Sequence, residues 1–143
     1  MYALSVGNQE CIIKMAIYEN LPVFKEVYDL LLQFITLSRN LKRDFRYTIG
    51  EQIKRDVLDV CVFIYHANAC HDKTMFINKA RERMVVIKLN LRVLNDAHEL
   101  SLKQFCMLVD KIATINKQLA AWDKYVKKQN TEIAKTELQE TQE

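Results

Sequence analysis

The chain has 143 residues and a mass of 16.8 kDa, is half apolar and 27% charged, and carries 21 Lys and Arg against 18 Asp and Glu. Two glycines and one proline are all its backbone punctuation, where an average chain spends about 12% of its residues on the two. That scarcity argues against sandwiches, barrels and propellers, which turn about every 8–12 residues. It also excludes P-loops and dinucleotide fingerprints, because Gly7 and Gly50 stand alone and far apart. The longest uncharged run, twelve residues between Asp59 and Asp72, falls short of the roughly eighteen a membrane span needs.

In chain order, residues 1–20 read as an N-terminal extension. Ile12, Ile13, Met15 and Ile17 fit neither helical nor alternating spacing, so the segment either lengthens the first helix or adds a short strand. Asn20-Leu21-Pro22 marks a helix start, since proline suits the first turn. Val23, Val27, Leu30, Leu31, Phe34 and Ile35 then recur at helical spacing until Ser38-Arg39-Asn40. A second helix is expected from an N-cap at Asp44, with Phe45, Ile49, Ile53, Val57, Val60, Ile64 and Ala67 as its stripe. Gly50 lies inside it, where glycine costs about 1 kcal/mol against alanine. Close helix–helix approach is the expected reason, a kink the alternative.

Asp72 is the expected cap of a third helix, whose stripe is Ile77, Ala80, Met84, Ile87, Leu91 and Leu94. Ser101 caps a fourth, with the seam Phe105, Leu108, Ile112, Ile115, Leu119, Trp122 and Val126. A second stripe of Cys106, Val109, Ala113 and Ala120 makes this apolar face wide enough for a bundle interior, or for a bundle interior plus a subunit interface. Short linkers make neighbouring helices antiparallel. The expectation is an all-α, antiparallel four-helix bundle over residues 21–130, followed by an acidic tail, residues 131–143, that is frayed or disordered.

Catalytic chemistry is thin. The N-terminus, MYALSVGNQE, lacks the basic start and apolar stretch of a signal peptide, and the four cysteines contain no CxxC, so free, buried thiols in a reducing cytoplasm are expected. His66, His71 and Cys70 sit close enough to share a metal, but zinc needs three or four ligands in fixed geometry and no second cluster completes the set. A histidine pair at a helix end is the plainer reading, and a metal enzyme the third choice for function. Cys61 and Cys106 lie in apolar stretches and read as structural thiols. The pairs Asp56/Asp59 and Asp96/Glu99 read as solvated carboxylates beside basic partners, because the Glu-x-x-His of di-iron bundles is missing. No catalytic residue, metal or cofactor is expected.

Charge is the stronger signal. Residues 101–130 hold six Lys and two Asp, while residues 131–143 hold one Lys and four Glu. Lys103, Lys117, Lys124 and Lys128 share one side of the fourth helix, with Lys111 and Lys127 beside them. Arg81, Lys88 and Arg92 fall nearly on one line of the third, with Lys79 and Arg83 adjacent, and Lys42, Arg43 and Arg46 bracket the first loop. Such lines attract phosphate backbones without reading sequence; an ordinary solvated helix face is the alternative. Arg92 borders the seam residues Leu91 and Leu94, which suggests a partly buried or interfacial charge.

Three segments, LPVFKEVYDLLLQF, DFRYTIGEQIKRDVLDVCVFIYHAN and LNLRVLNDAHELSLKQFCMLVDKIATINKQLAAW, together resemble the accessory variability determinants of diversity-generating retroelements. They are also similar to the bundle proteins encoded in intervening sequences of bacterial large ribosomal RNA genes. The resemblance covers about residues 20–126. It implies a homopentameric barrel of four-helix bundles with a positively charged surface and central pore, in a bacterial or phage-encoded cytoplasmic protein. It further implies a non-catalytic partner of the element's reverse transcriptase and template RNA, needed for error-prone copying into cDNA. The family's pair of polymerase-binding basic residues, four apart on the third helix, matches Lys88 and Arg92, with Leu89-Asn90-Leu91 where an aromatic often stands. Ala120-Ala121-Trp122 matches its small-small-Trp and reads as packing. Arg81, Lys117, Lys124, Lys127 and Lys128 are added as nucleic-acid contacts from charge alone. A structural or protein-interaction bundle of the ribosomal-intervening-sequence type, with no polymerase partner, is the second reading.

Overall fold

The structure, a computed structural model, describes residues 20–142. The expectations for residues 1–19, including Ile12, Ile13, Met15 and Ile17, lie outside the described residues.

Four long helices follow the four stripes. Helix α1 (Pro22–Ser38) starts with its proline in the first turn and buries Val23, Val27, Leu30, Phe34 and Leu37. Helix α2 (Glu51–Ala69) buries Ile53, Val57, Val60, Ile64 and Ala67. Helix α3 (Lys73–Asp96) buries every stripe residue predicted for it, from Ile77 to Leu94. Helix α4 (Leu102–Glu140) buries Leu108, Ile112, Ile115, Leu119 and Val126. No strand occurs among the described residues.

Helix α1 packs on α2 and α4, and α3 packs on α2 and α4. With short connections this is the up-down-up-down arrangement of an antiparallel bundle. One core runs from Leu41 and Leu100 at one end to Leu119 towards the other, and Ala67, Ile77 and Val126 close that far end with Phe76 and Trp122. Each fully buried aliphatic side chain contributes about 1.5–3 kcal/mol, so the interior supplies the main driving force.

The helix starts depart from expectation in detail. Asp44 is not an N-cap: the chain turns helical at Arg43, with Lys42 at the cap position and Asp44 in the first turn, where its charge suits the helix dipole. The backbone then passes through a π-helical turn, Arg46–Gly50, before α2. Gly50 is buried there. A Cβ on it would stand 3.1 Å from the Phe45 carbonyl oxygen and 3.3 Å from the Leu41 side chain. The close approach is real, but it comes from the helix's own entry segment and not from another helix. Asp72 occupies the N-cap of α3 without a side-chain cap hydrogen bond. Ser101 makes a full capping box: its hydroxyl accepts from the Gln104 N–H at 3.1 Å, and its own N–H donates to the Gln104 side chain at 2.9 Å.

Both connections at one end are fastened by polar side chains. The Arg46 guanidinium donates to the carbonyls of Arg39 and Leu41. Glu99, its side chain only 4% exposed, accepts from the Lys42 N–H at 3.1 Å, tying the α1–α2 connection to the α3–α4 connection. His98 takes φ 59° just past α3, a left-handed position more usual for glycine.

Helix α4 does not stop at residue 130. It continues as a helix to Glu140, and every side chain from Lys127 to Gln142 is exposed. Val126 is its last buried residue, so 14 residues, about 21 Å at 1.5 Å each, project beyond the packed bundle. Lys, Gln, Ala, Glu and Leu, all good helix formers, fill most of that stretch.

Candidate nucleic-acid and partner interface

Helix α3 meets α4 along a seam that carries the basic residues. Towards one end, Val85, Lys88, Leu89, Arg92, Asn95 and Asp96 of α3 and Phe105 and Val109 of α4 line a groove of about 540 Å³. Further along, Asn78, Arg81, Glu82, Val85 and Asn116 line a second depression that shares Val85 with the first. Arg81, Lys88 and Arg92 are therefore brought together on the α4-facing rim of α3. Their spacing of seven and then four residues places them on one line of a helix.

The same spacing recurs in Lys117, Lys124 and Lys128. All three are exposed, and helical geometry sets them on the line of α4 opposite its buried Ile115, Leu119 and Val126. They form an outer ridge on α4, facing away from the core. None of the three, nor Lys88, makes an ion pair within 4.0 Å among the described residues. Arg92 is 74% exposed and only loosely paired, with its Nε 3.7 Å from Asp96. The partly buried Arg92 expected from its neighbours is thus an exposed one, since Leu91 and Leu94 turn inward and Arg92 turns out.

Two of the candidates are committed elsewhere. Asp123 is 4% exposed. Its Oδ2 accepts from the Arg81 guanidinium at 3.0 Å and from Lys127 Nζ at 2.9 Å. Arg81 and Lys127 thus compensate a carboxylate drawn out of water, which reduces the charge they offer a polyanion. Arg83 serves the same purpose on the opposite side of α3. It reaches Asp56, wholly buried on α2, at 3.2 Å, and Gln52 donates to the same carboxylate oxygen at 2.9 Å. Asp56 is therefore not the solvated carboxylate that its spacing from Asp59 suggests. Lys111 spans to Glu26 at 3.1 Å and to Asp29 of α1. Its hydrogen bond to Asp29, which outweighs the opposing effect of burial, holds its pKa above the ordinary lysine value.

Of the groove's apolar floor, the sequence pattern picks out Phe105 and Val109 on α4 but not the α3 side. Val85 and Leu89 are 68% and 60% exposed. Their signal was available: two large aliphatics four apart on the line otherwise held by basic residues. The second stripe of α4 also stays outside the core, with Cys106, Ala113 and Ala120 exposed and Val109 half-buried. Of Ala120-Ala121-Trp122, only Trp122 packs, against both parts of the core.

The thiols divide. Cys61 is buried, and that burial pushes its pKa from 9.0 up to about 11, whereas Cys106 is exposed and Cys70 intermediate. The expectation of buried thiols fails at Cys106 because its stripe faces solvent. His66 stacks on Phe76 at 5.0 Å and meets Tyr65 edge-on at 5.4 Å. Among the described residues no group of three His, Cys, Asp or Glu gathers as a metal site, and no helix is long and apolar enough to cross a membrane.

No family model and no curated protein matches the chain. A solved structure does share its fold. It is a protein of unknown function from the S23 ribosomal protein family of Bacteroides thetaiotaomicron, with a TM-score of 0.65 and 18% identity, covering 71% of this chain and 95% of that one. At that identity the likeness establishes the helical architecture, in agreement with the four stripes read from the sequence.

Proposed function

We propose that the chain is a non-catalytic accessory protein that binds a retroelement reverse transcriptase and its template RNA, in support of mutagenic cDNA synthesis. The observation that carries this reading is the set of exposed cations with no close acid: Lys88, with loosely held Arg92, on the groove rim and Lys117, Lys124 and Lys128 on the outer ridge of α4. Five other basic groups, Arg46, Arg81, Arg83, Lys111 and Lys127, are spent on loop carbonyls, Asp123, Asp56, Glu26 and Asp29, whereas these two lines stay free to attract a polyanion or an acidic partner. The identity of that partner comes from the sequence resemblance. The ring of five copies and the cytoplasmic setting belong to the same reading. Lys88 and Arg92 flank an apolar floor, the mixture that suits a protein partner. The α4 ridge offers charge alone, which suits phosphates.

The test is whether purified protein captures a retroelement reverse transcriptase. Lys88→Glu with Arg92→Glu is expected to lose capture while keeping the wild-type helical signal. Undiminished capture by that variant would refute the assignment of these residues.

A second reading has one observation in its favour, the shared fold with the S23-family protein. It makes the chain a structural or protein-interaction bundle with no polymerase partner, and it predicts that wild-type protein captures no reverse transcriptase.

A further inference from the structure

Helix α3 carries two ridges at the α3–α4 groove, and each steps by four residues. One is aliphatic: Val85, Leu89 and Val93 are 68%, 60% and 40% exposed. The other is cationic, Lys88 and Arg92. Across from them, Phe105 and Val109 of α4 complete the apolar lining. A row of exposed aliphatics that runs into a groove, with charge beside it, marks a contact with another macromolecule.

The lining chemistry separates the possible occupants. RNA would need aromatic faces for its bases or more positive charge for its phosphates. Phe105 is half-buried against the core, and Asp96 stands 3.7 Å from Arg92 Nε. An extended peptide would lay N–H and C=O groups over aliphatics, with Asn95 the one neutral polar side chain in the lining to answer them. A helix bonds its own backbone and brings only side chains. Ridges that step by four also pack into the grooves of a second helix that steps by four. On the proposed reading of Lys88 and Arg92 as a partner-binding pair, on which this rests, we infer that the groove receives an amphipathic helix of the protein partner. Its apolar stripe lies against Val85, Leu89, Phe105 and Val109. Carboxylates beside that stripe, four residues apart, face Lys88 and Arg92. From Val85 to Asp96 the groove follows α3 for about 16 Å, so it holds about three turns of the incoming helix.

Fluorescence anisotropy with labelled synthetic peptides and the full chain tests this without a polymerase, so its failure is distinct from failure of the capture experiment. The probe is a peptide of about 18 residues, long enough to form a helix, with Leu at helical spacing and Glu on both sides of the stripe. A side-chain cross-link holds it helical. Wild-type protein is expected to bind it. A peptide of the same composition with the Leu positions scrambled, and one with Lys in place of every Glu, are expected to bind about tenfold more weakly or worse. Val85→Asp with Leu89→Asp, both at exposed positions, is expected to lose binding while keeping the helical signal. Lys88→Ala with Arg92→Ala is expected to weaken it about tenfold. No binding of the Glu-flanked peptide, equal binding of all three peptides, undiminished binding by either variant, or displacement of the peptide by oligouridylate would each overturn the inference.

Discussion

Helix α3 carries basic residues of two kinds. Arg81 and Arg83 reach carboxylates that are nearly or wholly buried, Asp123 and Asp56, while Lys88 and Arg92, about one and a half to three turns further along, stand in solvent with no acid or a loosely held one. By sequence all four are the same signal, a positive charge on an amphipathic helix. By structure the first pair stabilises the bundle and the second is available to something outside it. A count of lysines and arginines therefore overstates the charge a bundle presents, and those that answer buried acids are to be subtracted before a binding face is sought.

The sharpest way to break this comparison is to remove a committed arginine. Arg83→Ala leaves Asp56 buried with only Gln52 for company, and is expected to lower stability by about 3 kcal/mol, read as a shift in the denaturant midpoint at unchanged m-value. Arg81→Ala should cost less, about 1 kcal/mol, because Lys127 still answers Asp123.

Alkaline pH tests the committed groups together. The raised pKa of Lys111 favours the folded state below the ordinary lysine value, and that contribution is lost as pH rises through its folded value. The Cys61 thiol ionises near 9.0 when unfolded and at about 11 when folded, so stability falls as pH climbs between the two. Denaturant midpoints are expected to decline over that window, and Cys61→Ala is expected to shallow the decline. A flat profile from pH 9 to 11 would contradict the burial argument.

The uncommitted residues should barely move stability. Lys88→Ala and Arg92→Ala are expected within about 0.5 kcal/mol of wild type, since exposed side chains and loose surface pairs contribute little. A large loss at either would place it with Arg81 and Arg83 and remove it from the interface.

The bundle was legible because its stripes are long and nearly free of interruption: all six residues predicted for α3 are buried. What the sequence concealed was polar and local. Asp56 sits three residues after Ile53 and four before Val60, and Asp123 four after Leu119 and three before Val126, so both occupy core spacing. A carboxylate reads as solvated by default, and an arginine one helix away reverses that rule. Asp44 misled because a carboxylate in the first turn and one at the N-cap look alike in a string of letters. The π-helical turn before α2 left only Gly50 as a trace, and its close neighbours turned out to be Phe45 and Leu41. At the interface, Lys88 and Arg92 stood out by charge, whereas Val85 and Leu89 are legible only as aliphatics on the basic line, a signal that a search for the buried stripe passes over.

The most direct test of the central claim, that the uncommitted cations are the binding surface, is the salt dependence of RNA affinity. Each phosphate contact contributes a slope of about −0.7 on single strands in a plot of log affinity against log salt. Replacing Lys117, Lys124 and Lys128 together with alanine is expected to shrink that slope by about 2 without changing thermal stability, while Arg81→Ala should leave it nearly unchanged. An identical slope for the triple variant, or a wild-type protein with no affinity for RNA at low salt, would contradict the account.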